Sequence, residues 1–148
     1  MKMTNEAKAV QERMKPGVLT SRGFLGGDTR GLSDIIASDE EEFLALGLDF
    51  EQVADKLAHL AREGEKGLGE PTTVDGKFLV RSDDARGKIA CPFQDGLFHK
   101  NSVTAEYPKA GVKLIYSDLS IHLLRVHHFC QGEGSPFRLD PAVLKQFF

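Results

Sequence analysis

The stretch Thr72-Thr73-Val74-Asp75-Gly76-Lys77-Phe78-Leu79-Val80 decides the fold. An Asp-Gly pair between two short β-prone runs predicts a two-residue hairpin turn, because both turn positions need positive φ and Gly, with Asp beside it, reaches that region at least strain. Upstream of Thr72 the apolar residues recur at helical spacing, and from Thr72 onward the local period is extended. Ser82-Asp83-Asp84-Ala85-Arg86-Gly87 reads as a turn into Lys88-Ile89-Ala90-Cys91. Pro108-Lys109-Ala110-Gly111 joins a second hairpin, Val103 to Tyr107 with Val112 to Tyr116. The expectation is an antiparallel sheet of four or five strands.

Helices flank this run on both sides. Residues 4–15 carry Ala7, Val10 and Met14 at helical spacing and stop at Pro16-Gly17, which predicts a short first helix, with residues 1–20 loosely attached. Ser33 is placed to cap a turn with Ile35 and Ile36, and Ser38 with Glu41 forms a capping box for a helix over 39–46. Asp49 with Gln52 repeats the device for a helix over 50–63, whose Phe50, Val53, Leu57 and Leu60 share one face. A helix over 119–130 follows the strands, and Asp140-Pro141 opens a last short one. Helices, then strands, then helices predict one α+β domain over residues 1–148, since strands never alternate with helices as βαβ units require. The expected core is Val53, Leu57, Leu79, Ile89, Leu114, Leu119, Leu123 and Val126.

Composition limits the function classes. The chain has 148 residues, 41% of them hydrophobic and 28% charged, so it has the apolar content for one packed core. Its N-terminus runs directly into mixed charge, which predicts no signal peptide, no membrane partner and a cytoplasmic location. Net charge is −3; residues 1–70 hold nine Lys/Arg against fourteen Asp/Glu and the remainder ten against eight, so neither half is a polyanion binder. A homo-oligomer or a protein partner stays open. Rossmann and P-loop fingerprints are absent.

The chemistry-bearing residues cluster between Cys91 and Cys130, which together with His99, His122 and His127 form a candidate metal set. At about 100° per residue, with Leu119 at zero, Cys130 falls near ~20°, His127 near ~80° and His122 near ~300°. His127 and Cys130 stand at i, i+3, and with Cys91 and either His99 or His122 they would supply the two-nitrogen, two-sulfur set that zinc favours. Four protein ligands would make the metal structural, and an open position would permit hydrolysis. Against this stands a plainer reading, in which both cysteines are buried free thiols and the histidines hydrogen-bond in the core. A disulfide is disfavoured in a reducing compartment.

Three further readings compete. Cys91 is a candidate nucleophile with His122 or His127 as base and Asp118 or Asp95 as orienting group. The glycine-rich loops 23–31 and 132–138 are candidate anion sites, with Arg30 and Arg138 as the cations. Residues 41–61 followed by hairpins match a winged-helix-like pattern for DNA or a partner, but the would-be recognition helix is net negative, which argues against nucleic acid.

The chain also carries a set of short motifs, Gly23-Phe24-Leu25-Gly26 with Asp28 and Arg30, Cys91-Pro92-Phe93, Asp118-Leu119 with Ile121-His122, and Gly132-x-Gly134-Ser135-Pro136-Phe137-Arg138. Over residues 22–139 the chain resembles an uncharacterised family of small bacterial cytosolic proteins. The resemblance implies no activity, cofactor or site residue.

Overall fold

At the Asp75-Gly76 corner both residues take positive φ, 55° and 71°, and the strands on either side pair Val74 with Phe78 and Thr72 with Val80. In the computed structural model, which describes residues 3–148, this corner joins β1 (Thr72–Val74) to β2 (Phe78–Ala90). β3 (Leu97–Tyr107) and β4 (Val112–Tyr116) follow, and the four strands lie antiparallel in the order β1-β2-β3-β4. The second hairpin pairs Tyr107 with Val112, as its turn residues predict.

Residues 82–87 are not a turn. β2 continues through them, and the register against β3 shifts between Asp84 and Lys88, with Gly87 at φ 92°. Turn-forming residues also suit a β-bulge, which adds residues to one strand without ending the pairing. Two expected strands thus become one, and the reversal falls at residues 91–96.

Among the described residues five helices complete the α+β fold: α1 (Asn5–Arg13), α2 (Leu32–Ala45), α3 (Phe50–Glu65), α4 (Asp118–His127) and α5 (Pro141–Phe147). α3 starts where Asp49 Oδ1 accepts from Gln52 N–H. It is tied to the sheet by Tyr116 Oη and Ser82 Oγ, which donate to the Leu57 and Ala61 carbonyls at 2.8 and 3.1 Å. Gly64 allows the approach, since a Cβ there would stand 2.6 Å from Val80 Cγ1. α2 begins six residues before the Ser38 capping box, with Gly31 at its N-cap. Leu32, Ile35, Asp39 and Phe43 form one buried stripe along it, and burying that stripe on a continuous helix outweighs a local cap in its middle.

Two apolar clusters result. One lies between α3 and the sheet, with Ile121 and Leu124 of α4 and the residues of α5 closing it. The other gathers Val10, Met14, Phe24, Ile35, Leu119, Leu123 and Cys91. α1 belongs to this second cluster: Met14 is fully buried, and Gln11 Oε1 accepts from Leu32 N–H at 2.9 Å. Of the expected core, Val53, Leu57, Leu114, Leu119 and Leu123 are buried and Leu79 and Ile89 half-buried, but Val126 is 52% exposed. α4 ends at His127, and His128 takes the left-handed region at φ 54°. The chain turns there, and Phe129 rather than Val126 enters the core.

Candidate metal centre

α4 is held firmly at its start. Ser117 and Ser120 cap each other reciprocally, and Asn101 of β3 accepts from Asp118 N–H at 2.8 Å while its amide donates to Asp118 Oδ1 at 3.1 Å. This fixes the rotation of the helix, so Leu119 and Leu123 face the second cluster. His122 and His127 flank that stripe on either side, about 140° apart on the wheel.

The β2–β3 loop crosses between them. Cys91 N–H donates to Gly96 O at 3.0 Å, Gln94 N–H donates to Cys91 O at 2.8 Å, and Gln94 sits at φ 61°. The loop curls back on itself, bringing Asp95 beside Cys91. Asp95 Oδ1 meets His122 Nε2 at 2.9 Å and Asp95 Oδ2 meets His127 Nε2 at 2.7 Å. The donor atoms of Cys91, Asp95, His122 and His127 all lie within 4.8 Å of one another. Aromatic neighbours fix the imidazoles: Phe93 stacks on His127 with centroids 3.8 Å apart, and Phe98 leans on His122 at 4.5 Å. Arg13 Nε donates to Pro92 O at 2.6 Å, bracing the loop from α1.

Charge states follow from burial. Cys91 is 1% exposed, and desolvation, reinforced by its hydrogen bond to Asp95, pushes the thiol up to about 12. Burial also pulls His127 below its ordinary value against the carboxylate's attraction, which favours a neutral imidazole. For Asp95 burial acts upward, but hydrogen bonds from Cys91, His122 and His127 outweigh it and hold the carboxyl well below the usual range. The cluster is thus one anionic carboxylate, two imidazoles and a thiol, three chemical types that bind borderline metals once the thiol proton leaves.

Three of the five expected ligands meet here, and Asp95 joins them. Cys130 does not. Because α4 stops at His127, the assumed i, i+3 helical geometry does not exist; Cys130 lies in the first apolar cluster, its N–H donating to Asp39 Oδ2 at 3.0 Å. His99 points elsewhere too, 3.3 Å from Asp84. Both cysteines are free and buried. The signal for Asp95 was its position four residues after Cys91 in a loop with Pro92 and Gly96, a spacing that only the curled loop makes meaningful.

Comparison with protein-family models, with characterised proteins and with solved structures gives no match. The site stands on its geometry alone.

The other candidate sites are placed as follows. The two glycine-rich loops dock on each other: Gly132 N–H donates to Phe24 O, Gly27 N–H to Glu133 O, and Glu133 N–H to Asp28 Oδ2. Arg30 is held by Asp28 through two bonds of 2.9 and 2.7 Å, and Arg138 donates to Gln131 O and lies 3.6 Å from Asp39. Each arginine therefore serves a carboxylate of the chain itself. α3, the would-be recognition helix, gives Glu51 and Asp55 to Arg125 of α4. Among the described residues no helix is long and apolar enough to cross a membrane.

Proposed function

We propose that the protein binds a divalent transition-metal ion, zinc by donor chemistry, through Cys91, Asp95, His122 and His127. The observation that carries the reading is the convergence of one thiol, one carboxylate and two imidazoles within 4.8 Å on two elements distant in sequence. Two nitrogens, a sulfur and an oxygen complete a tetrahedral zinc sphere, so the metal has a structural role, clamping the 91–96 loop onto α4. Stacking by Phe93 and Phe98 supports this, since it pre-orients both imidazoles before any ion arrives. Coordination releases the thiol proton that burial otherwise retains. A reducing, cytoplasmic environment would keep the Cys91 ligand available.

A Cys91 nucleophile fits less well. A nucleophilic thiol needs its proton withdrawn by a cation or a base, and here the thiol faces a carboxylate and is pushed up to about 12.

Cobalt substitution tests the proposal. Co(II) added to chelator-treated protein should give intense tetrahedral d–d bands and a thiolate-to-cobalt charge-transfer band, the latter lost in Cys91→Ser. Weak octahedral spectra unchanged by Cys91→Ser would rule the site out.

A further inference from the structure

A cleft of about 500 Å³ opens where the two glycine-rich loops meet the bulged part of the sheet, and none of the proposed metal ligands lines it. That volume is in the range of small-molecule sites. Phe24, Ile89, Leu119, Pro136 and Phe137 give it an apolar wall.

Its polar groups are few and differ in their engagement. Gln131 lines the cleft at 3% exposure and is held at φ 71°, in the left-handed region that a side-chain-bearing residue rarely adopts. Its Oε1 accepts from Ser135 Oγ at 2.6 Å, and its Nε2 is not among the fully buried atoms that lack a partner, so this amide keeps access to solvent where the residue lines the cleft. An amide held by its oxygen and accessible at its nitrogen can donate to a ligand in the cleft. At the mouth, Asp83 is paired with Arg81 at 3.0 Å and Asp84 with His99 at 3.3 Å. Arg22 and Lys100, exposed at the same mouth, have no ion-pair partner among the described residues. Arg81 offsets Asp83, which leaves Arg22 and Lys100 against Asp84 alone, so the mouth favours an anion.

The geometry points to a binding site for a small organic carboxylate with an apolar acyl or aryl body. The body lies against the Phe24, Leu119 and Phe137 wall, Arg22 and Lys100 select the negative head, and Gln131 Nε2 supplies a further donor. The glycine loops take part by shaping the cleft, while their own arginines stay bound to Asp28 and Asp39. This site is independent of the metal centre.

Titration of the full chain with octanoate, octanol and octylammonium, followed by amide NMR, tests the assignment. Octanoate should shift amides of residues 20–24, 131 and 135–137 saturably, octanol should bind at least tenfold more weakly, and octylammonium should leave them in place. The double variant Arg22→Ala/Lys100→Ala, which alters only exposed side chains, should weaken octanoate at least tenfold and leave octanol unchanged. Gln131→Glu, which keeps the Ser135 acceptor but replaces the donor by an oxygen, should abolish octanoate binding. Equal affinity for octanoate and octanol, unchanged octanoate affinity in the double variant, or shifts confined to residues away from the cleft would each overturn the proposal.

Discussion

Asp39→Asn should change how stability depends on pH. Asp39 is 1% exposed on the buried stripe of α2; its Oδ2 accepts from Cys130 N–H, and its Oδ1 has no hydrogen-bond partner among the described residues, with Arg138 Nη2 3.6 Å away. Burial pushes the carboxyl from its ordinary 3.8 up to about 6, against the opposing pull of Cys130 N–H and Arg138. The native state therefore holds this proton more tightly than the unfolded chain. Its contribution to stability is fully present well below about pH 4 and is lost as pH rises through about 6. A displacement of about two pH units, at 1.36 kcal/mol each, corresponds to about 3 kcal/mol. Asparagine does not titrate and keeps an oxygen for Cys130 N–H. Any change its amide makes against Arg138 is a constant offset. The unfolding free energy of Asp39→Asn minus that of the parent should thus grow by about 2.5 kcal/mol between about pH 4 and about pH 7.5, the rest of the loss falling below pH 4. Urea unfolding by circular dichroism, with chelator in both samples, measures it. A difference flat to within about 0.5 kcal/mol across that range would refute the burial argument.

Other consequences can be checked separately. Gly26→Ala should destabilise by about 2–4 kcal/mol, because φ is 55° and a Cβ would stand 2.3 Å from Ser135 N, whereas Gly27→Ala, with open space, should change thermal or urea stability by less than about 0.5 kcal/mol. Ser117→Ala removes the α4 cap and should lower urea stability by about 1 kcal/mol. Asp28, hydrogen-bonded by Arg30 and held below the usual carboxylate range, stabilises above its unfolded pKa and loses that contribution on acidification; Asp28→Asn should flatten the acid limb of the stability curve. Zinc binding at neutral pH should release the Cys91 proton, so calorimetry in buffers of different ionisation enthalpy should report about one proton, absent in Cys91→Ser.

Local chemistry made some features legible from the sequence. Asp75-Gly76, Asp49 before α3 and Asp140-Pro141 before α5 each carry a backbone requirement that few residue pairs meet, and each element stands where that requirement places it. The bulge at 84–88 was hidden because the same residues serve turns. The end of α4 was hidden because His128, without glycine's freedom, takes positive φ under the pull of Phe129 into the core. That one-turn error explains the misplaced Cys130. His122 and His127 were legible as candidates but not as a pair, since 140° apart on a wheel they converge only through a carboxylate between them. Asp95 was visible as an orienting group, and its role as a ligand depended on the loop's curl.

The most direct test is elemental analysis of protein expressed without an affinity tag, purified without chelator and compared with Cys91→Ser, Asp95→Asn, His127→Ala and His99→Ala. The account predicts one zinc per chain in the parent and in His99→Ala, whose imidazole lies beside Asp84, with loss or at least tenfold weakening in the other three. A parent free of transition metal even after equilibration with zinc, or zinc retained equally in all the variants, would contradict it.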